Sequence, residues 1–480
     1  MQHCTLKGIQ ERSYRQSNST LGADNDSITF FSRAVRNMPN RNTKPALLLL
    51  AILLLSACGS DSGFNEDTDF IAKDGFVQFV NMMPDSPSVI MLHGLDRTSV
   101  GFPLAQSVGQ VPVDKYDWRI AYLDSNDDEV TVAEGEDQSV LENGLSTFLW
   151  MGSMTQPNIQ IVDAPFILPA DRTEGLADIW FASNLTNHPM VDIYLTDLGA
   201  ALAGATPTAT VTSGSFTNRF SVDAGPNQQL RITVAGSNAL LFDSGPLEIL
   251  DRTEDLYALV DDFGPDGENH ANVVRTVGAE GSTILDVSQS ASVRIGNYSE
   301  QTPVTATLGT NVYPNIIKQT RSSSQTTDNS SAEFKVTDTN GTILEESAGP
   351  VPIRRGALQS IYTFENNTVN AASVTRSLIV ADSFRLVRDR ALIKFINGSN
   401  DAVDFYVLRP GQDLDEVAPL LNDIGFSGSP NNESIANNVE YVVRNSGNTE
   451  TLTSASNTQQ EGAGYTLVFD TQGVLHVLTD

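Results

Sequence analysis

The chain has 480 residues and a formal charge of −30, with 59 acidic side chains against 29 basic ones. A field of that sign repels phosphate backbones and anionic headgroups, which excludes nucleic acid as a partner. The chain holds only two cysteines, Cys4 and Cys58, so it is not a disulfide-stapled scaffold and each module must hold itself together by core burial.

In chain order the first feature is a targeting segment. Arg36, Arg41 and Lys44 precede ten apolar residues, Ala46 to Leu55, and the small residues Ser56 and Ala57 follow. Basic start, short apolar middle and small residues at the cut make a secretory signal. A transmembrane helix needs about 20 apolar residues, so this run is too short to stay in a bilayer. Met38 opens a compact signal and is expected to be the true start; otherwise residues 1–37 form a leader extension, and the mature chain is the same.

The stretch Leu55-Ser56-Ala57-Cys58 resembles the lipobox of bacterial lipoproteins. The resemblance implies cleavage between Ala57 and Cys58, acylation of the Cys58 thiol and amine by chains such as palmitate, and, with Gly59 rather than Asp next, sorting to the outer membrane. At roughly 0.8 kcal/mol per buried methylene, such an anchor is effectively permanent. Residues 1–57 hold seven of the 29 basic and three of the 59 acidic side chains, leaving 22 and 56 in the expected mature chain. From Cys58 to Asp74 the composition is Gly, Ser, Asp and Asn with few apolar residues, that of a flexible tether with a reach of roughly 20 to 25 Å.

Beyond the tether the sequence repeats at intervals of about a hundred residues. Each unit opens on an apolar run closing on Asn: Phe76 to Asn81, Ile179 to Asn184, Val293 to Asn297 and Leu392 to Asn397. A second strand follows, containing Val89-Ile90, Val191-Asp192-Ile193-Tyr194, Val304 and Val403-Asp404-Phe405-Tyr406. Mid-unit hairpins turn at Asp124–Asp128, Gly236–Asn238, Asp338–Gly341 and Asn445–Asn448, with residues that tolerate the positive φ of tight turns. Penultimate strands are expected at Thr147–Trp150, Leu256–Val260, Gln359–Thr363 and Tyr465–Phe469, each followed by a last strand. Short, turn-bounded, Val/Ile/Thr/Phe-rich segments without an amphipathic helix predict an all-β chain of four tandem immunoglobulin-like antiparallel β-sandwich modules, at 75–165, 176–277, 288–382 and 390–480. The junctions are short, so the modules are expected to touch.

Asp85-Ser86-Pro87, Val191-Asp192-Ile193-Tyr194, Val403-Asp404-Phe405-Tyr406 and Gly464-Tyr465-Thr466-Leu467 together resemble a family of unknown function. It occurs in tandem in bacterial exported proteins, with a signature close to H-A-S-P-D-A-P-x-V-D-V-Y. The resemblance spans nearly all of the mature chain and is weakest in the third unit, where Thr305 and Thr307 stand for Asp and Tyr. It implies a β-sandwich at the cell envelope and carries no catalytic residues.

Candidate sites are sparse. Alternation places Asp192 and Asp404 opposite the core face of their strands, and units one and three lack them, which excludes a carboxylate catalyst common to every module. The run Asp124 to Glu129 has calcium-type oxygens without the Gly and bidentate Glu of an EF-hand. The acidic loop with Asp261, Asp262, Asp266 and Glu268 is the better Ca²⁺ candidate. His93, His188, His270 and His476 fall on different strands and assemble neither a zinc site nor a catalytic triad. The basic cluster Arg385, Arg388, Arg390 and Lys394 stands at the third junction, where neighbouring acidic surface can pair with it. The expectation is a non-enzymatic, lipid-anchored envelope protein acting as scaffold, adhesin or array for a protein or glycan partner. The rival is a periplasm-facing hydrolase or small-ligand binder, and a polar pocket at a seam between modules would favour it.

Overall fold

The structure is a computed structural model that describes residues 74–480, apart from 95, 104, 127, 265–267, 278–279, 368–372, 383–384 and 448–449. The expected signal, Ala57, Cys58 and the tether lie outside the described residues, as does Asp266. The described part is nearly all β, and its one helical element is a single 3-10 turn, Pro169–Asp171. No helix among the described residues is long and apolar enough to cross a membrane.

The first eight strands set the pattern: β1 (Asp74–Asn81), β2 (Val89–His93), β3 (Asp96–Val100), β4 (Ala105–Pro112), β5 (Lys115–Leu123), β6 (Glu129–Ser139), β7 (Gly144–Ser153) and β8 (Gln156–Pro165). They form one sheet in the order β4-β1-β7-β8 and a second in the order β3-β2-β5-β6. Val77, Phe79, Phe148 and Trp150 of the first sheet meet Val89, Met91, Ile120 and Tyr122 of the second in one buried cluster. The same arrangement recurs around three more cores, over residues 177–273, 291–361 and 391–475, giving four facing sheet pairs. The lead strand runs parallel to the penultimate one in every pair: β1 with β7, Leu176–Asn184 with Glu254–Phe263, Ala291–Tyr298 with Leu358–Glu365, and Arg390–Asn397 with Gly464–Phe469. The lead sheets are therefore mixed rather than purely antiparallel. The sandwich architecture is shared with immunoglobulin domains, but the strand order is its own.

This topology explains the sequence of the lead strands. Antiparallel strands with one wet face alternate apolar and polar, whereas strands covered on both faces read as continuous apolar runs. On β1, Val77 and Phe79 face their own core while Val80, with Met82 just beyond the strand, joins a second cluster containing Trp180, Ala182, Leu256, Ala258 and Val260 of the next pair. A similar two-sided burial joins the third and fourth pairs through Tyr298, Tyr362, Phe364, Ile396 and Val468. Between the second and third pairs, buried Asp286 accepts hydrogen bonds from the Asp243 and Ser288 N–H groups (3.0 and 2.9 Å). The fourth pair returns to the first, where Arg388 N–H donates to the Asp85 carbonyl (3.0 Å) and the Tyr122 hydroxyl to Asp389 (2.7 Å). Contacts thus close a cycle, and residues 71–480 form one compact unit. The second junction is also partly strand, Glu280–Ile284, which extends the second pair beyond the expected boundary.

The Asn that ends each lead strand is a latch. Asn397 donates to the Asp401 and Ile424 carbonyls (2.8 and 2.7 Å) and accepts from Ser399 N–H (2.9 Å). Asn297 repeats this with Gln301, Ile316 and Ser299 (2.9, 3.2 and 3.1 Å). Asn184 turns the same chemistry outward: it donates to the Met82 and Gly152 carbonyls (2.7 and 3.0 Å) and accepts from Gly152 N–H (2.8 Å), tying the second pair to the first. Gly152 sits at φ +81, and a Cβ there would stand 2.2 Å from the Gln156 carbonyl oxygen, so only glycine permits the approach. Three hairpins are led by an Asp that caps its own turn: Asp124 accepts from Asn126 and Asp128 N–H, Asp338 from Asn340 and Thr342, and Asp470 from Gln472 and Val474. Backbone N–H donation holds the carboxyls of Asp124 and Asp338 below the usual range.

His93 is buried in the first core between Tyr116 and Phe148, with no partner for either ring nitrogen. Burial lowers its pKa below 6.5, with Asp96 pulling weakly the other way. Its stabilising contribution is then complete above about pH 6.5, the unfolded value, and is lost as pH falls below it, by at most about 1.4 kcal/mol per pH unit. The urea midpoint is expected to drop between pH 7 and pH 5, and to drop less in His93→Phe; equal slopes for the two proteins count against this role.

Candidate functional site

The polar groups that converge lie where the cycle of contacts closes. A cleft of about 470 Å³ is lined by Ser88, Phe102 and Pro103 of the first pair, Asp262 of the second, Asp382 of the third, and Asn431, Asn432 and Glu433 of the fourth, with Arg385 between them. Arg385 is held from several sides. Its guanidinium donates to the Ser86 carbonyl (2.5 Å), pairs with Glu433 (2.8 Å) and lies 5.3 Å from the Phe102 ring. The second Glu433 oxygen accepts from Ser88 N–H (2.6 Å). Burial lowers the Arg385 pKa, opposed by Glu433, Asp262 and Asp85. Arginine suits the position because its planar fork serves a carbonyl and a carboxylate at once, and it stays charged when buried.

The lining is rich in acceptors. Asp262, Glu433 and the side-chain carbonyls of Asn431 and Asn432 stand against one cation, while Phe102, Pro103, Leu392 and Pro430 supply apolar wall. An ionised carboxylate offers about four lone-pair sites, so one or two existing bonds leave capacity for a ligand's donors. Asp382 is neutralised from behind by Lys394 and Arg294. A second cavity, of about 290 Å³, opens between the first two pairs beside Leu145, Phe166, Ile167, Trp180 and Leu256. Its polar rim is engaged: Arg172 binds Asp178 and Glu254 (2.8 Å each), Arg252 binds Glu174 (2.8 Å), and Asp251 accepts from Gly175 N–H (2.7 Å).

The residues singled out in sequence fall as follows. Asp261 is buried and accepts from Thr186 N–H (2.7 Å), a structural use; its neighbour Asp262 faces the cleft, and Glu268 closes the hairpin by accepting from Gly264 N–H through its backbone (2.8 Å). Among the described residues no group of three or more His, Cys, Asp or Glu side chains is arranged to hold a metal ion. Asp192 accepts from the Thr210 hydroxyl and Gly236 N–H (2.6 and 2.7 Å), and Asp404 from Asp423 N–H (2.8 Å), so both pin neighbouring chain segments. His93 lies in the first core, His270 contacts Gln289 (3.2 Å) and His476 pairs with Asp470 (2.7 Å), so these three do not converge. The basic cluster pairs inward: Arg385 with Glu433, Lys394 with Asp382, and Arg390 with the Leu123 carbonyl.

No protein-family model matches the chain, and none of the curated proteins does. Among solved structures it is similar to the Bacillus anthracis TIE protein, at 7% identity and a TM-score of 0.14, over 82% of this chain and 67% of that one.

Proposed function

We propose that this protein is a non-enzymatic, lipid-anchored component of a bacterial outer membrane, whose four repeated sandwiches hold a binding cleft for a small hydroxylated ligand of the glycan class. The observation that carries the ligand reading is the seam cleft around Arg385, an acceptor-rich cavity with apolar walls, within the range of about 300 to 1,000 Å³ usual for small-molecule sites. A sugar ring presents hydroxyl donors at its rim and apolar C–H faces, which complements that lining. Anionic ligands are disfavoured by Asp262 at the cleft and by the net charge of the chain. The anchor rests on the Leu55-Ser56-Ala57-Cys58 pattern, and Cys58→Ser is expected to release the protein from the membrane fraction.

The binding test is a thermal-shift and calorimetric screen of the full chain against neutral and amino sugars at millimolar concentration. At least one is expected to raise the melting temperature, and Asp262→Asn with Asn432→Ala is expected to weaken its binding about tenfold, as loss of one or two hydrogen bonds would. No shift across the panel would leave the display-scaffold reading and remove the ligand.

A further inference from the structure

The two ends of the first pair differ in chemistry. At the end where Asp74 opens β1, Val113, Leu141, Ile167 and Leu168 are 38 to 55% exposed, and among the described residues they are all the large apolar side chains that residues 74–168 leave exposed. The loops that carry them are tied together: Asp74 pairs with Pro112, Asn143 N–H donates to the Asp74 carbonyl (2.9 Å) and Phe166 N–H to the Asn143 carbonyl (2.7 Å). The opposite end turns at Asp124, Asn126 and Asp128 and at Thr155 and Gln156, and its tips are polar.

The fold does not demand this. The turn that leads into the penultimate strand carries Leu141 in the first pair and the exposed Leu250 in the second, but Arg354 and Gln460 in the third and fourth. Each time a donor three residues on closes the turn on that residue's carbonyl. Single exposed apolar residues need no explanation, whereas a cluster at one end marks a surface that meets something.

We infer that this end rests on a zwitterionic lipid surface, that of the membrane to which the chain is anchored, with Val113, Leu141, Ile167 and Leu168 dipping into its interfacial layer. The inference rests on the lipid anchor proposed above. Only residues 59–73 separate Cys58 from Asp74, a stretch with a typical reach of roughly 20 to 25 Å. The ten residues of β7 set the polar end about 30 Å farther off, so the anchor holds the apolar end to the bilayer. Tethering makes the contact intramolecular, and a patch too small to bind a free membrane then suffices. Anionic headgroups are disfavoured because Asp74, Asp96 and Asp114 gather around Tyr116 at the same end.

The test uses the full chain, purified from membranes and reconstituted on phosphatidylcholine vesicles that contain a brominated-chain lipid as quencher. The indole added in Leu168→Trp is expected to be quenched, since interfacial side chains reach about 5 to 10 Å into the headgroup and acyl boundary, and the one added in Asn126→Trp at the opposite end is expected to keep its emission. Leu141→Asp with Ile167→Asp is expected to weaken the contact about tenfold or more, as loss of two buried apolar side chains would. Flotation of the same vesicles reads the anchor separately. A chain that does not float overturns the anchor and this contact with it. A chain that floats without quenching at position 168, with equal quenching at position 126, or with no response to the two aspartates overturns the contact alone. Emission at position 168 that shifts with protein concentration in detergent, and not with lipid, would give this end to a second copy and overturn it as well.

Discussion

Replacing Lys394 by methionine is expected to destabilise the protein by about 3 to 5 kcal/mol, the usual consequence of removing one member of a buried ion pair. Lys394 is 2% exposed and pairs with Asp382, whose side chain is fully buried. Asp382 also meets Arg294 (3.3 Å) and the Ser360 hydroxyl. Arg294 continues to Asp480 (3.0 Å), which is joined by Arg321 and by the Thr466 hydroxyl (2.5 Å). Burial, with the nearby Arg294 charge, lowers the Lys394 pKa, and Asp382 and Asp480 oppose that. Without the ammonium, the fully buried Asp382 carboxylate keeps one cation and one hydroxyl. The double variant Lys394→Met with Asp382→Leu removes both charges and is expected to cost less than Lys394→Met alone, leaving Arg294 on Asp480. Urea unfolding of both single variants and the double variant checks this; a double variant as unstable as the sum of its parts would show that the pair is not coupled.

Much of the fold was legible in the sequence because two signals agreed. Apolar runs closing on Asn marked the lead strands, and Gly, Asn and Asp clusters marked the hairpins; both reflect local backbone physics that a single chain segment carries by itself. The pairing partners were not legible. Phe76 to Asn81 reads as a buried strand whether its neighbour runs parallel or antiparallel, and the parallel partner β7 lies more than sixty residues on. The same run also conceals that Val77 and Val80 serve different cores. Asn marks the strand ends in sequence, but its work depends on carbonyls such as Ile424, twenty-seven residues from Asn397, which no local pattern announces.

The cleft was less legible still. Ser88, Asp262, Asp382, Arg385 and Glu433 span 345 residues and meet because the fourth sheet pair returns to the first. Two traces of it were present: an Arg-rich stretch in an acidic chain, and an acidic loop. The loop's oxygens read as calcium ligands, but burial turns Asp261 to Thr186 while leaving its neighbour Asp262 at the cleft. Alternation along a strand separates adjacent carboxylates in this way, so a dense acidic run overstates the ligands that can converge.

Replacing Arg385 by alanine is expected to open the contact between the first and fourth pairs while each core stays folded. The side chain is 10% exposed and bridges Ser86, Glu433 and the Phe102 ring. Its loss leaves a carbonyl and a half-shielded carboxylate without their donor, a cost of about 3 kcal/mol. That cost falls on one seam, because the remaining fourth-to-first contacts are four hydrogen bonds, Arg388 to Asp85, Tyr122 to Asp389, Arg390 to Leu123 and Ser88 to Glu433. Hydrogen exchange is therefore expected to quicken at residues 84–88, 385–390 and 430–433, and to stay unchanged in β1, β7 and Gly464–Phe469. Arg385→Lys is expected to restore little, since an ammonium cannot present the planar fork that reaches carbonyl and carboxylate together. Uniform acceleration across all four cores would mean that Arg385 supports global stability rather than one contact; unchanged exchange at the three segments would mean that the cycle is closed by something else. Because the cleft is built by that closure, sugar binding and seam protection should be lost together in Arg385→Ala, whereas Asp262→Asn should lose binding and keep the seam.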